Sequence, residues 1–184
     1  RIESNGNANM FKIDGGNEAE IGGVYFSGQI SIHGANVLIE KSSFINSLSD
    51  DGINIKYSTV DIKESYFANN KGDQIDLDFC KGSFLNNKLL FESYLVNSSL
   101  ETDGLDISGT EINIENNLFY NFSDKGVSVG ESSYPKIIGN NFKNNNMAIA
   151  VKDGSVAKVK ENIFNKNKED ISIYIKKKFY DEPK

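Results

Sequence analysis

One beat runs through this chain. Short alternating segments begin at Gly52 (GINIK), Gln74 (QIDLD), Gly104 (GLDIS), Gly126 (GVSVG), Ala148 (AIAVK) and Asp170 (DISIY), separated by 22, 30, 22, 22 and 22 residues. QISIH from Gln29 precedes Gly52 by 23. A second phrase keeps the same time, an aliphatic pair and then Phe. It reads Val37, Ile39, Phe44; Val60, Ile62, Phe67; Leu77, Phe79, Phe84; Ile112, Ile114, Phe119; and more loosely Ile137, Phe142 and Val159, Phe164. Asparagine follows the Phe by two places at Asn46, Asn69, Asn86, Asn121 and Asn144, and precedes it by two at Asn117, Asn140 and Asn162. Alternation with a period of two marks strands, and helical spacing is nowhere sustained. The repeat is too short for a four-stranded propeller blade and lacks the leucine-rich signature. One circuit of chain per repeat, each hydrogen-bonded to the next, satisfies it. The expected fold is all-β, a parallel β-helix solenoid of about seven to eight coils with a ~22-residue repeat.

Stacking turns sequence positions into columns. Ile53, Ile55, Ile75, Leu77, Leu105, Ile107, Val127, Val129, Ile149 and Val151 face inward as aliphatic ladders. The residues between them face out: Ser31 and His33, Asn54 and Lys56, Asp76 and Asp78, Asp106 and Ser108, Ser128 and Gly130, Ala150 and Lys152. A third column precedes each strand: Asp51, Asp73, Asp103, Lys125, Met147. With coils about 4.8 Å apart, Asp73, Asp76, Asp78, Asp103 and Asp106 crowd one patch, bordered by Lys56, Lys125, Glu131, Lys152 and Asp153. Stacked like charges repel, so raised carboxyl pKa values are expected unless a cation intervenes.

Three readings of the patch stand open. It is a solvated acidic face capped by Lys56 and Lys125, a hard-cation site, or a set of paired acid/base carboxylates. For the cation the ligands are Asp73, Asp76 and Asp106, and calcium is the expected ion. For catalysis the pairs are Asp76 with Asp106, or Asp78 with Asp103, with Lys125 or Lys152 as a base. Lys56, Ser108, Ser128, Glu131, Lys152 and Asp153 are the expected substrate contacts, and Tyr57, Phe91 and Tyr94 are placed to stack on sugar rings. The lone His33 cannot build a histidine metal cluster, and Cys80, the single cysteine, reads as core filler. Gly52, Gly104 and Gly126 read as turn residues with dihedrals other residues resist.

The chain of 184 residues, with a net charge of −6, has no basic stripe for nucleic acid and no apolar run long enough to span a bilayer. It is expected to form one domain over 1–184 within a larger protein. Residues 1–20 serve as an incomplete first coil or cap, 88–101 as an insertion and 174–184 as a C-terminal cap or tail.

The unit IENNLFYNFSDKGVSV (114–129) resembles the generic repeat of the right-handed parallel β-helix, or pectate-lyase-like, superfamily over nearly the whole chain. The order DDGINI, GDQIDLDF, DGLDISG, DKGVSVGE, AVKDGS is similar to bacterial envelope β-helices, some joined to spore-coat-type (CotH) kinase-like domains. The superfamily contains polysaccharide lyases, hydrolases, epimerases and non-catalytic adhesins. In its lyases calcium neutralises a uronate carboxylate while Lys or Arg removes a proton. The resemblance implies a right-handed coil and a polysaccharide or glycan partner at a cell surface, outside the cell or in its envelope. It equally admits a structural or adhesive module beside neighbouring domains of the parent chain.

Overall fold

In the computed structural model, residues 2–3, 9–14, 18–22, 25–48, 50–92 and 101–184 are described. They wind into a parallel solenoid whose strands form three sheets of eight, eight and seven strands. The aspartate sheet stacks Asn9–Asp14, Gln29–His33, Ile53–Lys56, Ile75–Asp78, Leu105–Ser108, Lys125–Gly130, Met147–Lys152 and Glu169–Tyr174 in that order. The phenylalanine sheet runs from Ile2–Glu3 through Tyr66–Ala68 and Leu118–Tyr120 to Ile163–Asn165, and the third sheet from Glu18–Gly22 to Lys158–Lys160. Every pairing is parallel and joins a strand to its counterpart one coil away, as a winding chain requires. Among the described residues no helix is long and apolar enough to cross a membrane.

Because side chains alternate across a strand, each sheet sends one set inward. The inward aliphatic ladders of the aspartate sheet are buried from Ile30 to Val151. Register pairs Ile53 with Ile75, Ile75 with Leu105, and Leu105 with Val127. Phe44 and Phe67 stack at 5.1 Å between ring centroids, and Phe119 and Phe142 at 4.8 Å. Phe84, expected in that column, lies instead on the third sheet, paired with Ile62 and Ile114. Leu89 takes the phenylalanine slot between Phe67 and Phe119. Residues 88–90 therefore belong to the solenoid, and the expected insertion narrows at its start. Its remainder, 93–100 with Tyr94, lies outside the described residues.

The asparagines divide into two roles. Asn46, Asn69, Asn86, Asn121 and Asn144 take left-handed backbone, φ 56–69°, at a corner of the coil; Asn adopts this region more readily than most residues. Asn87, Asn117 and Asn140 are buried and, with half-buried Asn162, form a ladder in which the side-chain oxygens of Asn117, Asn140 and Asn162 each accept the backbone N–H of the Asn one coil before, while that of Asn87 accepts from Ser65. Gly52, Gly104 and Gly126 are explained by space and not by dihedral angle. A Cβ on Gly104 would stand 2.5 Å from the Gly126 carbonyl oxygen, and one on Gly126 2.7 Å from that of Ala148. Neighbouring coils leave no room there.

Candidate functional site

The outward columns of the aspartate sheet form in the expected register. Asn54, Asp76, Asp106 and Ser128 share one rung column, and Lys56, Asp78 and Ser108 the next. Asn54 Nδ2 donates to Asp76 Oδ2 at 2.5 Å, and Lys56 pairs with Asp78.

The third column proves to be structural. Asp51 Oδ1 accepts the N–H of Asp73 at 3.0 Å, Asp73 Oδ1 that of Asp103 at 2.8 Å, and Asp103 Oδ1 that of Lys125 at 2.9 Å. Each carboxylate thus closes a backbone donor of the next coil. This is a task for a residue set just before a strand, where N–H groups otherwise lack a partner. Asp73 and Asp103, expected as metal ligand and catalytic group, carry this ladder first. Asp51, left out of the expected site, heads it; its place in the same column was the available signal.

Burial and crowding raise several carboxyls. Burial pushes Asp76 up to about 8, with repulsion from Asp78, Asp51 and Asp106 adding and Lys56 opposing. Burial lifts Asp51 to about 6 against the hydrogen bond from Asn54. Asp73 rises through burial and the charges of Asp103 and Asp106, and Asp103 through burial despite Lys125. Desolvation of this kind disfavours the charged form.

Six of the residues expected at the site are held within the fold. Lys125 is buried and ion-paired with Asp103 and Asp124. Burial pulls its pKa down, but the two carboxylates outweigh this and raise it, which favours the ammonium form. Ser128 is 0% exposed, as the whole strand Lys125–Gly130 is buried, so it does not meet a substrate at the surface. Asp153 is also fully buried and accepts the N–H groups of Lys176 and Lys177 at 2.7 and 2.6 Å, anchoring the C-terminal segment. Glu131 pairs with Lys177 in the same anchor, and Lys152 is buried beside Gly130. Phe91 is 2% exposed and belongs to the core.

The corner that follows the aspartate sheet was underweighted by the sequence pattern. Gly34, Tyr57, Phe79, Gly109, Glu131 and Asp153 occupy it coil by coil, all with φ between 52° and 65°. Tyr57 and Phe79 are 57% and 51% exposed, and their rings stack at 5.0 Å and 7°. His33 meets Tyr57 edge-on at 5.2 Å. Glycines stand on both sides of the aromatic pair, and a Cβ on Gly109 would lie 2.6 Å from the Phe79 ring. An open groove of about 650 Å³ runs past Tyr57, Phe79 and Gly109 to Lys81 and Glu111.

No curated protein matches this chain. Among solved structures, the pentapeptide-repeat protein HetL of the cyanobacterium Nostoc, involved in heterocyst differentiation regulation, is 13% identical over 91% of this chain and 90% of its own, with a TM-score of 0.19. A superposition of that quality carries no information on fold. The family model described as "right handed beta helix region" matches residues 7–174. Stacked parallel sheets, inward ladders and that match over most of the sequence place the chain in the right-handed β-helix family.

Proposed function

We propose that this β-helix binds a polysaccharide of the cell envelope or extracellular surface along the aspartate sheet and its aromatic corner. The observation that carries the reading is the exposed Tyr57–Phe79 stack in left-handed backbone. Left-handed φ costs a bulky residue roughly 1–2 kcal/mol, and glycine serves the same corner one coil to either side. Two large apolar rings held in water at that cost contribute nothing to the core. They suit the apolar face of a sugar ring, and the rungs of Lys56 and Asp78 beside them supply hydrogen bonds to hydroxyls. The acidic face disfavours a polyanionic chain and favours a neutral or cationic one. The proposed location rests on the resemblance of the order DDGINI to AVKDGS to envelope β-helices.

The test is affinity electrophoresis through gels containing neutral polysaccharides, after a glycan array has chosen them. Tyr57→Gly and Phe79→Gly should each weaken retention about tenfold while leaving Tm unchanged or higher, since glycine relieves the corner. Equal retention by the parent and both variants sinks the proposal and leaves the structural or adhesive spacer as the reading.

Turnover of the bound chain has one observation in its favour. Asp76, raised to about 8, lies in register with Asp106, and retaining glycosidases pair a carboxylic acid of raised pKa with a second carboxylate about 5 Å away. Release of reducing ends that vanishes in Asp76→Asn and Asp106→Asn supports hydrolysis.

A further inference from the structure

The rungs on either side of the 30-residue step hold a cluster of oxygens that the protein itself satisfies only in part. Oxygens of Asp73, Asp103 and Asp106 all lie within 4.8 Å of one another. Asp73 and Asp103 each spend Oδ1 on a backbone N–H. Asp106 Oδ1 is buried and has no hydrogen-bond partner. Ser128, the cross-strand neighbour of Asp106 on the same outward column, is 0% exposed, and its Oγ likewise has none. A buried, partnerless oxygen is costly, and Asp106 and Ser128 supply two on neighbouring strands beside two further carboxylates.

We infer that Asp73, Asp103, Asp106 and Ser128 form a site for a hard divalent cation, Ca²⁺ in the first instance, that ties three successive coils together. The donor set is oxygen throughout, without His or Cys, which suits Ca²⁺ or Mg²⁺ over softer metals. Lys125 lies 3.3 Å from Asp103 and neutralises that carboxylate, leaving Asp73 and Asp106 as the charges a cation answers. Asp76, expected from the sequence as a ligand, lies outside the group, and one of its oxygens accepts from Asn54. The coils joined are those the excursion after Glu92 separates in sequence, so the ion pins the solenoid where chain continuity helps least. This role is intramolecular and independent of any glycan.

The test is differential scanning calorimetry and isothermal titration of the full chain, stripped with EDTA and then given Ca²⁺ or Mg²⁺ without sugar. At about a hundredfold excess over Kd, Tm should rise by roughly 5–10 °C, with one saturable binding event in the titration. Asp106→Asn should abolish both effects. Its Oδ1 has no protein partner to lose, and far-ultraviolet circular dichroism checks that it folds. Ser128→Ala should weaken Kd about tenfold, the loss of one neutral ligand. Absence of any cation-dependent change, or the same change in the parent and Asp106→Asn, overturns the inference. Neither outcome touches the glycan-binding proposal, whose Tyr57 and Phe79 variants lie on a different corner.

Discussion

Asp76 shows how much a single residue is asked to carry on an outward rung. It is crowded by Asp51, Asp78 and Asp106 and partly shut from water, and it is held by one amide from Asn54. An acid raised from 3.8 to about 8 on folding binds more protons in the native than in the unfolded state. Its contribution to stability is complete below the unfolded pKa and is lost as pH climbs through about 8; Asp51, at about 6, acts the same way over a narrower span. The protein should therefore melt highest in mildly acidic buffer, with Tm falling from about pH 5 to pH 8. Asp76→Asn keeps the shape and removes the charge, so it should flatten that slope and raise Tm at pH 8 by about 2–4 °C per kcal/mol recovered. Melts across pH in a buffer free of divalent cations measure this. A parent Tm that climbs steadily toward pH 8 contradicts it.

At the scale of the element, the corners and ladders hold the strands in register. Each strand is short, and an isolated coil has only its own apolar side to bury. The asparagine ladder supplies what the strands cannot, closing backbone groups at the bends. Asn140 is 0% exposed; its oxygen accepts from Asn117, and its amide donates to the Ile114 carbonyl at 2.9 Å and to Asn162 at 3.0 Å. Asn140→Ala orphans buried groups on three coils. At about 1–3 kcal/mol for each, the expected loss is about 3 kcal/mol or more, read as a lower urea midpoint at unchanged slope. A loss below about 1 kcal/mol would mean that water replaces the ladder.

For the whole molecule, stability depends on having a coil on each side. Ile149 and Val151 are buried between neighbours, whereas their register partners in the last strand, Ile171 and Ile173, are 42% and 59% exposed. The Asp153 anchor fixes the chain beyond Tyr174 but does not cover those two. Amide hydrogen exchange should show protection highest over 75–90 and 105–142 and fraying over 158–174, since opening the terminal coil breaks contacts on one side only. Uniform protection along the solenoid would refute this.

The spacing of the repeat by itself determined the fold, the inward ladders and the outward rungs, because in a solenoid the repeat length alone decides which residues share a row. Asp76, Asp106 and Ser128 meet for that reason. Where the beat faltered, the pattern misled: Leu77 and Phe79 before Phe84 imitated the phenylalanine phrase, although Leu89 fills that slot. The spacing did not determine which polar groups a row leaves to solvent. Only the tertiary structure turned Asp73 and Asp103 into backbone acceptors, locked Lys125 between two carboxylates, sealed Ser128 and Asp153, and left Tyr57 and Phe79 in the open. Burial and hydrogen bonding depend on what lies across and over a residue, and a one-dimensional period carries no record of either.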